Sequence, residues 1–172
     1  MQVYHFSEMP YTQVWQDQPS LRVNIPNSAY DPKLGADLYE RFFDEWVLCD
    51  ELGLNIMVNE HHATATCVNP ACSLPLAILA RETKKARLLA LGVPIANRPN
   101  PVRVAEEMAM IDVISRGRLD MGLVRGSPYE IAPTNARPVG QMDRFWEAHD
   151  LVIKAMTTRD GPFSWESQNY HY

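Results

Sequence analysis

Glu60, His61 and His62 stand in a row, and this triplet carries the densest chemistry in the chain. A carboxylate accepts hydrogen bonds, and an imidazole titrates near neutrality and can donate, accept or ligate. Consecutive side chains on extended backbone point opposite ways, so His61 and His62 are expected to serve different tasks. Three readings fit: a proton-handling site, a pair of satisfied loop histidines, or a metal site. Cys67 and Cys72 follow in a His-His-x4-Cys-x4-Cys pattern that matches no familiar zinc spacing. Arg125 is a second candidate, able to hold a phosphate or to form an ordinary surface ion pair. His149 lies on an apolar helical stripe and reads as a packed core residue.

These groups need a scaffold, and the pattern from Arg87 to Gly126 supplies its rule. Residues 87–97 are nearly all apolar, as a strand buried on both faces must be. Pro101 suits a first helical position. Val104, Met108 and Ile111 then share a face with Ile114 beside them, and Gly117 sits where a left-handed stop is wanted. Leu119, Met121 and Leu123 alternate with Asp120, Gly122 and Val124. Strand, long crossover helix and strand make a parallel unit.

The same alternation runs through the rest of the chain. Val3, Tyr4 and Phe6 suggest a first strand within residues 1–6. Residues 7–34 hold four prolines and no periodicity, which reads as a long loop covering a pocket or as an ordinary insertion. Asp37 and Glu40 have capping-box spacing and predict a helix over 37–53, with Leu38, Phe42, Cys49 and Leu52 inward. A second strand over 54–59 ends on the Glu-His-His triplet. A helix from about residue 70 to 83 would turn Leu74, Ile78 and Leu79 inward. A loop over 127–140 precedes a helix over 141–156 whose stripe is Met142, Phe145, His149, Val152 and Met156. Residues 163–172 read as an extended segment or hairpin. Four successive βα units follow, with the triplet at the C-terminal end of a strand, where parallel α/β folds keep their sites. No G-x-G-x-x-G turn follows the first strand, which argues against a dinucleotide-binding start.

Composition narrows the function. With 172 residues and 46% apolar content, the chain can build one sizeable core. A net charge of −5 excludes a general nucleic-acid or anionic-membrane surface, so any phosphate must be met by local arginines or backbone amides. Three cysteines without CxxC spacing read as reduced thiols of a cytoplasmic protein. No signal-peptide pattern or membrane-spanning run is present in the sequence.

Three blocks in order resemble the bacterial luciferase-like flavin monooxygenases: Asn59-Glu60-His61-His62; Asn100-Pro101-Val102-Arg103 with Ala105-Glu106-Glu107; and Asp112-x-x-Ser115-x-Gly117-Arg118 leading to Gly122-Leu-Val-Arg125-Gly126. The resemblance implies a TIM (β/α)8 barrel of which residues 1–172 supply the N-terminal half, about the first four βα units. Residues 7–34 would be a substrate-side insertion. It implies a flavin-dependent monooxygenase in which reduced FMN from a separate NAD(P)H:flavin reductase reacts with oxygen. A small organic substrate, such as an aldehyde or terpene, would be oxygenated through a peroxyflavin stabilised near His61. His61 takes the catalytic position, and Glu60, Gly92, Val93, Val124 and Arg125 take positions around the flavin, with Arg125 on its phosphate. The family often has a non-proline cis peptide at the end of strand three, and here Val93–Pro94 could supply a cis bond. Asp112 would pair with Arg118. A homo- or heterodimer is expected, and no metal. The alternatives are a deazaflavin-dependent oxidoreductase of the same fold, a non-catalytic flavin-binding half-barrel, and a metal-dependent hydrolase.

Overall fold

Asp31 starts the first helix, six residues ahead of the capping box read from the sequence. Its carboxylate accepts from the Lys33 and Leu34 amides, and Pro32 occupies the first turn. A true N-cap followed by proline outranks an Asp/Glu pair that falls inside the helix. In the computed structural model, which describes all residues except Asp17 and Asn24, the helix α1 spans Pro32–Glu51. The other main elements are β1 (Tyr4–Ser7), β2 (Asn55–Val58), α2 (Ser73–Glu82), β3 (Leu88–Pro94), α3 (Pro101–Ser115), β4 (Leu119–Val124) and α4 (Gln141–Thr157). The strands form one parallel sheet in the order β1-β2-β3-β4. Each crossover is a helix, as parallel pairing requires.

Strand alternation sorts side chains between two faces. Ile56, Val58, Leu88, Ala90 and Val93 pack into the core together with Phe42 and Trp46 of α1, Leu76 and Leu79 of α2, Met108 and Ile111 of α3, and Leu151 of α4. Each large side chain taken fully out of water here contributes about 1.5–3 kcal/mol before entropy is counted. The opposite face leaves Phe6, Leu91 and Val124 exposed.

Not every predicted stripe is buried. Leu52, Leu74 and Ile78 are exposed; on α2 Leu79 is buried as expected and Leu76 joins it. A short helix rich in leucine offers two apolar faces, and only packing selects one. On α4 the buried residues are Ala148, Leu151 and Val152. His149 is therefore half-buried, not core: its Nδ1 lies 2.9 Å from the exposed Asp150 carboxylate. Met142 and Trp146 point outward.

The floor of the sheet, at the N-terminal ends of its strands, is closed by committed charges. Asp50 accepts from the Lys84 (2.9 Å), Lys85 (2.7 Å) and Ala86 (2.5 Å) amides. Burial alone would raise this carboxyl, but those three amides outweigh it and hold it below its ordinary value. Arg118 does not pair with Asp112. Its guanidinium donates to Ser115 O, Thr83 Oγ1, Ala86 O, Ala80 O and Thr83 O, at 2.7–3.1 Å. Asp112 instead accepts from the Leu119 amide. Carbonyls left open at the end of α2 and in the turn after it offered the Arg118 donors more acceptor sites than one carboxylate could. On the open face Arg87 forms a bidentate pair with Asp120, and the Tyr4 hydroxyl donates to the same carboxylate at 2.8 Å.

The predicted long loop is real but shorter, and it is laced down. Ser7 belongs to β1 and residues 32–34 to α1. Between them, Val68 N donates to Met9 O, Tyr11 N to Ala65 O, Val23 N to Ala63 O and Ala65 N to Leu21 O. Residues 163–172 form the predicted hairpin, Trp165 and Tyr172 exchanging backbone hydrogen bonds of 2.7 and 2.8 Å. Glu147 anchors it by accepting from Ser167, Gln168 and Asn169.

Candidate active site

The C-terminal ends of β2, β3 and β4 meet at a cavity of about 460 Å³. Its wall includes Glu60 and His61 after β2, Leu91, Gly92 and Pro94 of β3, and Val124, Arg125 and Gly126 at the end of β4. Sequence reasoning had named Glu60, His61, Gly92, Val124 and Arg125, and the fold brings all five together. Val93 is not among them: its side chain is buried in the helix-facing core. Alternation of the strand sends it away from its neighbour Gly92.

The two histidines part company as extended backbone demands. The His61 Nδ1 lies 2.9 Å from Glu130 Oε1 and 3.2 Å from the Tyr129 hydroxyl. His62 turns to Glu60, with Nε2 3.1 Å from Oε1. Glu60 also accepts from Arg98 and, at 3.0 Å, from the Cys72 amide. Its carboxylate thus organises His62, Arg98 and the start of α2, and does not orient His61.

Glu130 was not anticipated. Its carboxylate is buried and accepts from His61, from the His62 amide at 3.0 Å and from the Ser127 amide at 2.9 Å. Burial would raise its pKa, but the His61 ring and the two amides outweigh that and lower it. In turn the Glu130 hydrogen bond, opposed by partial burial, raises His61 above an ordinary imidazole. With Nδ1–H committed to a carboxylate, Nε2 is the atom at which a proton arrives and leaves. The signal was present in Ser127-x-x-Glu130, the spacing of a capping box, which is indeed formed in the short turn Pro128–Glu130.

Glycines make the middle of the wall thin. A Cβ on Gly92 would come 2.8 Å from both Gly122 O and Val124 Cγ1. The cis peptide lies at Leu91–Gly92, two bonds before the Val93–Pro94 bond suggested by proline, and it falls where no side chain is tolerated. Next to Val124 in this wall, the exposed Arg125 guanidinium meets Met142 Sδ at 3.8 Å and no carboxylate among the described residues. A side-chain-poor apolar wall with a free cation at its edge suits a flat ring bearing a distant phosphate.

The metal reading finds no support in the geometry: among the described residues no three His, Cys, Asp or Glu side chains converge as ligands would. Cys67 is a buried thiol pushed up to about 11, chiefly by burial. No helix is long and apolar enough to cross a membrane among the described residues.

The sequence pattern of the luciferase-like monooxygenases matches residues 27–171. The chain belongs to that family. It is 37% identical over 98 residues to the oxygenase component of a flavin-dependent trigonelline monooxygenase from Acinetobacter baylyi, an alignment covering 56% of this chain and 27% of that one. Its fold is similar to that of the monooxygenase RslO1 from Streptomyces bottropensis, at TM-score 0.76 and 23% identity, covering 99% of this chain and 47% of the other. It is also similar to the oxygenating constituent of 3,6-diketocamphane monooxygenase from Pseudomonas putida, solved with FMN. That match has TM-score 0.72 and 19% identity, and covers 90% and 41% of the two chains. The chain thus spans between 27% and 47% of the relatives it matches, the arc of a luciferase-like barrel formed by four βα units.

Proposed function

We propose that this chain is the N-terminal, site-bearing half of an FMN-dependent monooxygenase that oxygenates a small organic substrate. The observation that carries the proposal is the His61–Glu130 pair, opening on a cavity that Arg125, in no ion pair among the described residues, also lines. FMN, reduced by a separate NAD(P)H:flavin reductase, would supply the activation of oxygen; the name of the Acinetobacter relative, an oxygenase component, favours such a division of labour. Arg125 would hold the phosphate by charge-assisted hydrogen bonds. Gly92, Val124 and Leu91 would support the ring, Gly92 by its missing side chain.

The protein's own part is proton handling. Glu130 keeps the His61 ring oriented and its Nδ1 protonated, so Nε2 can accept a proton from, or return one to, an oxygen atom beside it. The cover formed by the loop between β1 and α1 would keep water from that atom. Exposed apolar side chains on α2 (Leu74, Ile78) and α3 (Met110, Val113, Ile114) favour assembly as a dimer.

Anaerobic titration with reduced FMN, followed by oxygen, tests the proposal. Oxygen reduction slower than for free flavin, lost on His61→Ala while FMN still binds, is the expected result. Flavin binding with unaltered autoxidation would reduce the chain to a flavin-binding half-barrel. Selective binding of a deazaflavin would move the chemistry to hydride transfer.

A further inference from the structure

Beside the candidate active site lies another cavity, of about 550 Å³, bounded by the turn from β3 to α3, the loop leading into α4 and the tip of the C-terminal hairpin. Asn97, Arg98, Arg137, Arg144 and Tyr170 are in its wall, and Arg125 is not. Gln141 links it to the first cavity: Nε2 donates to Asn97 Oδ1 at 3.2 Å and to Arg125 O at 3.4 Å. The charges around this cavity are one-sided. The chain carries a net charge of −5, yet three arginines line the cavity against one carboxylate, the exposed Asp143. Two of the three are committed elsewhere. Arg98 is paired with Glu60, and Arg144 donates to Val139 O at 2.8 Å and to Arg137 O, which pins the loop. Arg137 is exposed and meets no carboxylate among the described residues.

Two buried side chains in the same wall are unsatisfied. Asn97 is 4% exposed and Tyr170 6%. Neither Asn97 Nδ2 nor the Tyr170 hydroxyl has a hydrogen-bond partner among the described residues. Folds pair nearly all such groups, because a buried donor without a partner is costly, and the exceptions call for a guest. Both groups donate, one as an amide and one as a phenol. Burial pushes the Tyr170 phenol up, which keeps its proton in place. A wall with two open donors and one uncommitted guanidinium is complementary to an oxyanion, and it repels a cation.

We infer that this cavity is a second anion site, taking a small oxyanion, a phosphate or carboxylate group, on Arg137, Tyr170 and the Asn97 amide. It is separate from the flavin phosphate proposed for Arg125, and it does not depend on the oxygenase function. Arg137 supplies the charge. Tyr170 and Asn97, both buried, supply the direction. The Arg144 hydrogen bonds to Val139 O and Arg137 O hold the loop that presents Arg137, so the site is formed before the anion arrives.

Titrations of inorganic phosphate and of acetate into the full, isotope-labelled chain test this by heteronuclear NMR, at constant ionic strength with chloride as the reference ion. The side-chain amide resonances of Asn97 are expected to shift with one of the two anions at a dissociation constant of about 1 mM, and the tighter of the two identifies the group. Arg137→Gln should weaken that anion about tenfold and Tyr170→Phe about threefold. Tyr170→Phe deletes a hydroxyl that no protein group holds, so urea unfolding should be no easier than in the parent chain, and weaker binding then reports the site and not the fold. Asn97 shifts no larger than with chloride, or an affinity that either variant leaves unchanged, overturns the inference. Binding lost in Arg125→Ala and kept in Arg137→Gln would put the anion in the flavin cavity and overturn it as well.

Discussion

The two ends of the sheet carry similar residue types and use them differently. At the floor, Asp50, Arg118, Arg87 and Asp120 spend their hydrogen-bonding capacity on one another or on backbone groups. At the mouth, Glu60 and Glu130 are just as fully committed, but they leave His61 Nε2 and the Arg125 guanidinium turned toward cavities. Asp50 at the floor holds backbone amides and Asp120 holds the Arg87 and Tyr4 side chains, whereas Glu130 at the mouth holds a His61 ring that still lines a cavity. Stability and chemistry are thus separated along a strand only a few residues long, as barrels of this kind arrange them.

Substitutions at the two ends should separate in the same way. The largest effect expected is on the floor: Arg118→Ala removes five donor contacts and should cost roughly 3 kcal/mol in urea unfolding. A loss below about 1 kcal/mol would show that the floor network is not what secures the sheet. At the mouth, His61→Ala removes one hydrogen bond from Glu130 and should cost about 1 kcal/mol in unfolding, well below Arg118→Ala, yet cut oxygenated product per turnover about a hundredfold. Stability falling as far as in Arg118→Ala would erase the division. Arg125→Ala should weaken FMN about tenfold while riboflavin, without the phosphate, binds unchanged. Equal weakening of both would take Arg125 off the phosphate.

The smallest effect is one of pH. His61 is raised by Glu130, so its contribution to stability is present below its unfolded value, about 6.5, and fades as pH rises through the higher folded value. Glu130→Gln should bring the His61 titration, followed by NMR, down toward that ordinary value and abolish this slope. Asp50 has the opposite sign. Its folded value is depressed, so its contribution is present above about 3.9, the unfolded value, and is lost as pH falls below it. Asp50→Asn should flatten only the acid limb. A His61 titration unmoved in Glu130→Gln would mean that the carboxylate orients the ring without tuning it.

Much of this was legible in the residues, because periodicity records burial. The four βα units, the hairpin and the position of Glu60-His61-His62 at a strand end all follow from patterns of two and 3.6. Opposite directions for His61 and His62 needed only the geometry of an extended chain. Local rules rank badly where two signals compete: Asp37/Glu40 has capping-box spacing, yet Asp31-Pro32 is the cap that forms. Arg98 escaped notice because its partner is 38 residues away, and for Glu130 the local capping-box spacing announces Ser127 but not His61, 69 residues away. Gln141, which bridges Asn97 and Arg125 O, escaped for the same reason. The stripes of α2 and α4 held only in part, with Leu79, Val152, Phe145 and Met156 in or against the core and Leu74, Ile78 and Met142 outside it: amphipathic leucine- and methionine-rich helices offer several faces, and the neighbour chooses.

The Tyr4 hydroxyl bonded to Asp120 joins the first strand of the sheet to the last. In an arc of four strands that bond is a chord, and a chord fixes a radius. The strands climb from it toward the mouth at about 3.3 Å per residue, so the cavity sits on the long arm of a lever whose fulcrum is one phenol. Lengthening the chord slightly would splay the four strand ends by more than the change itself. The distance between the His61 wall and the Arg125 edge is therefore set in part by an atom at the opposite end of the protein.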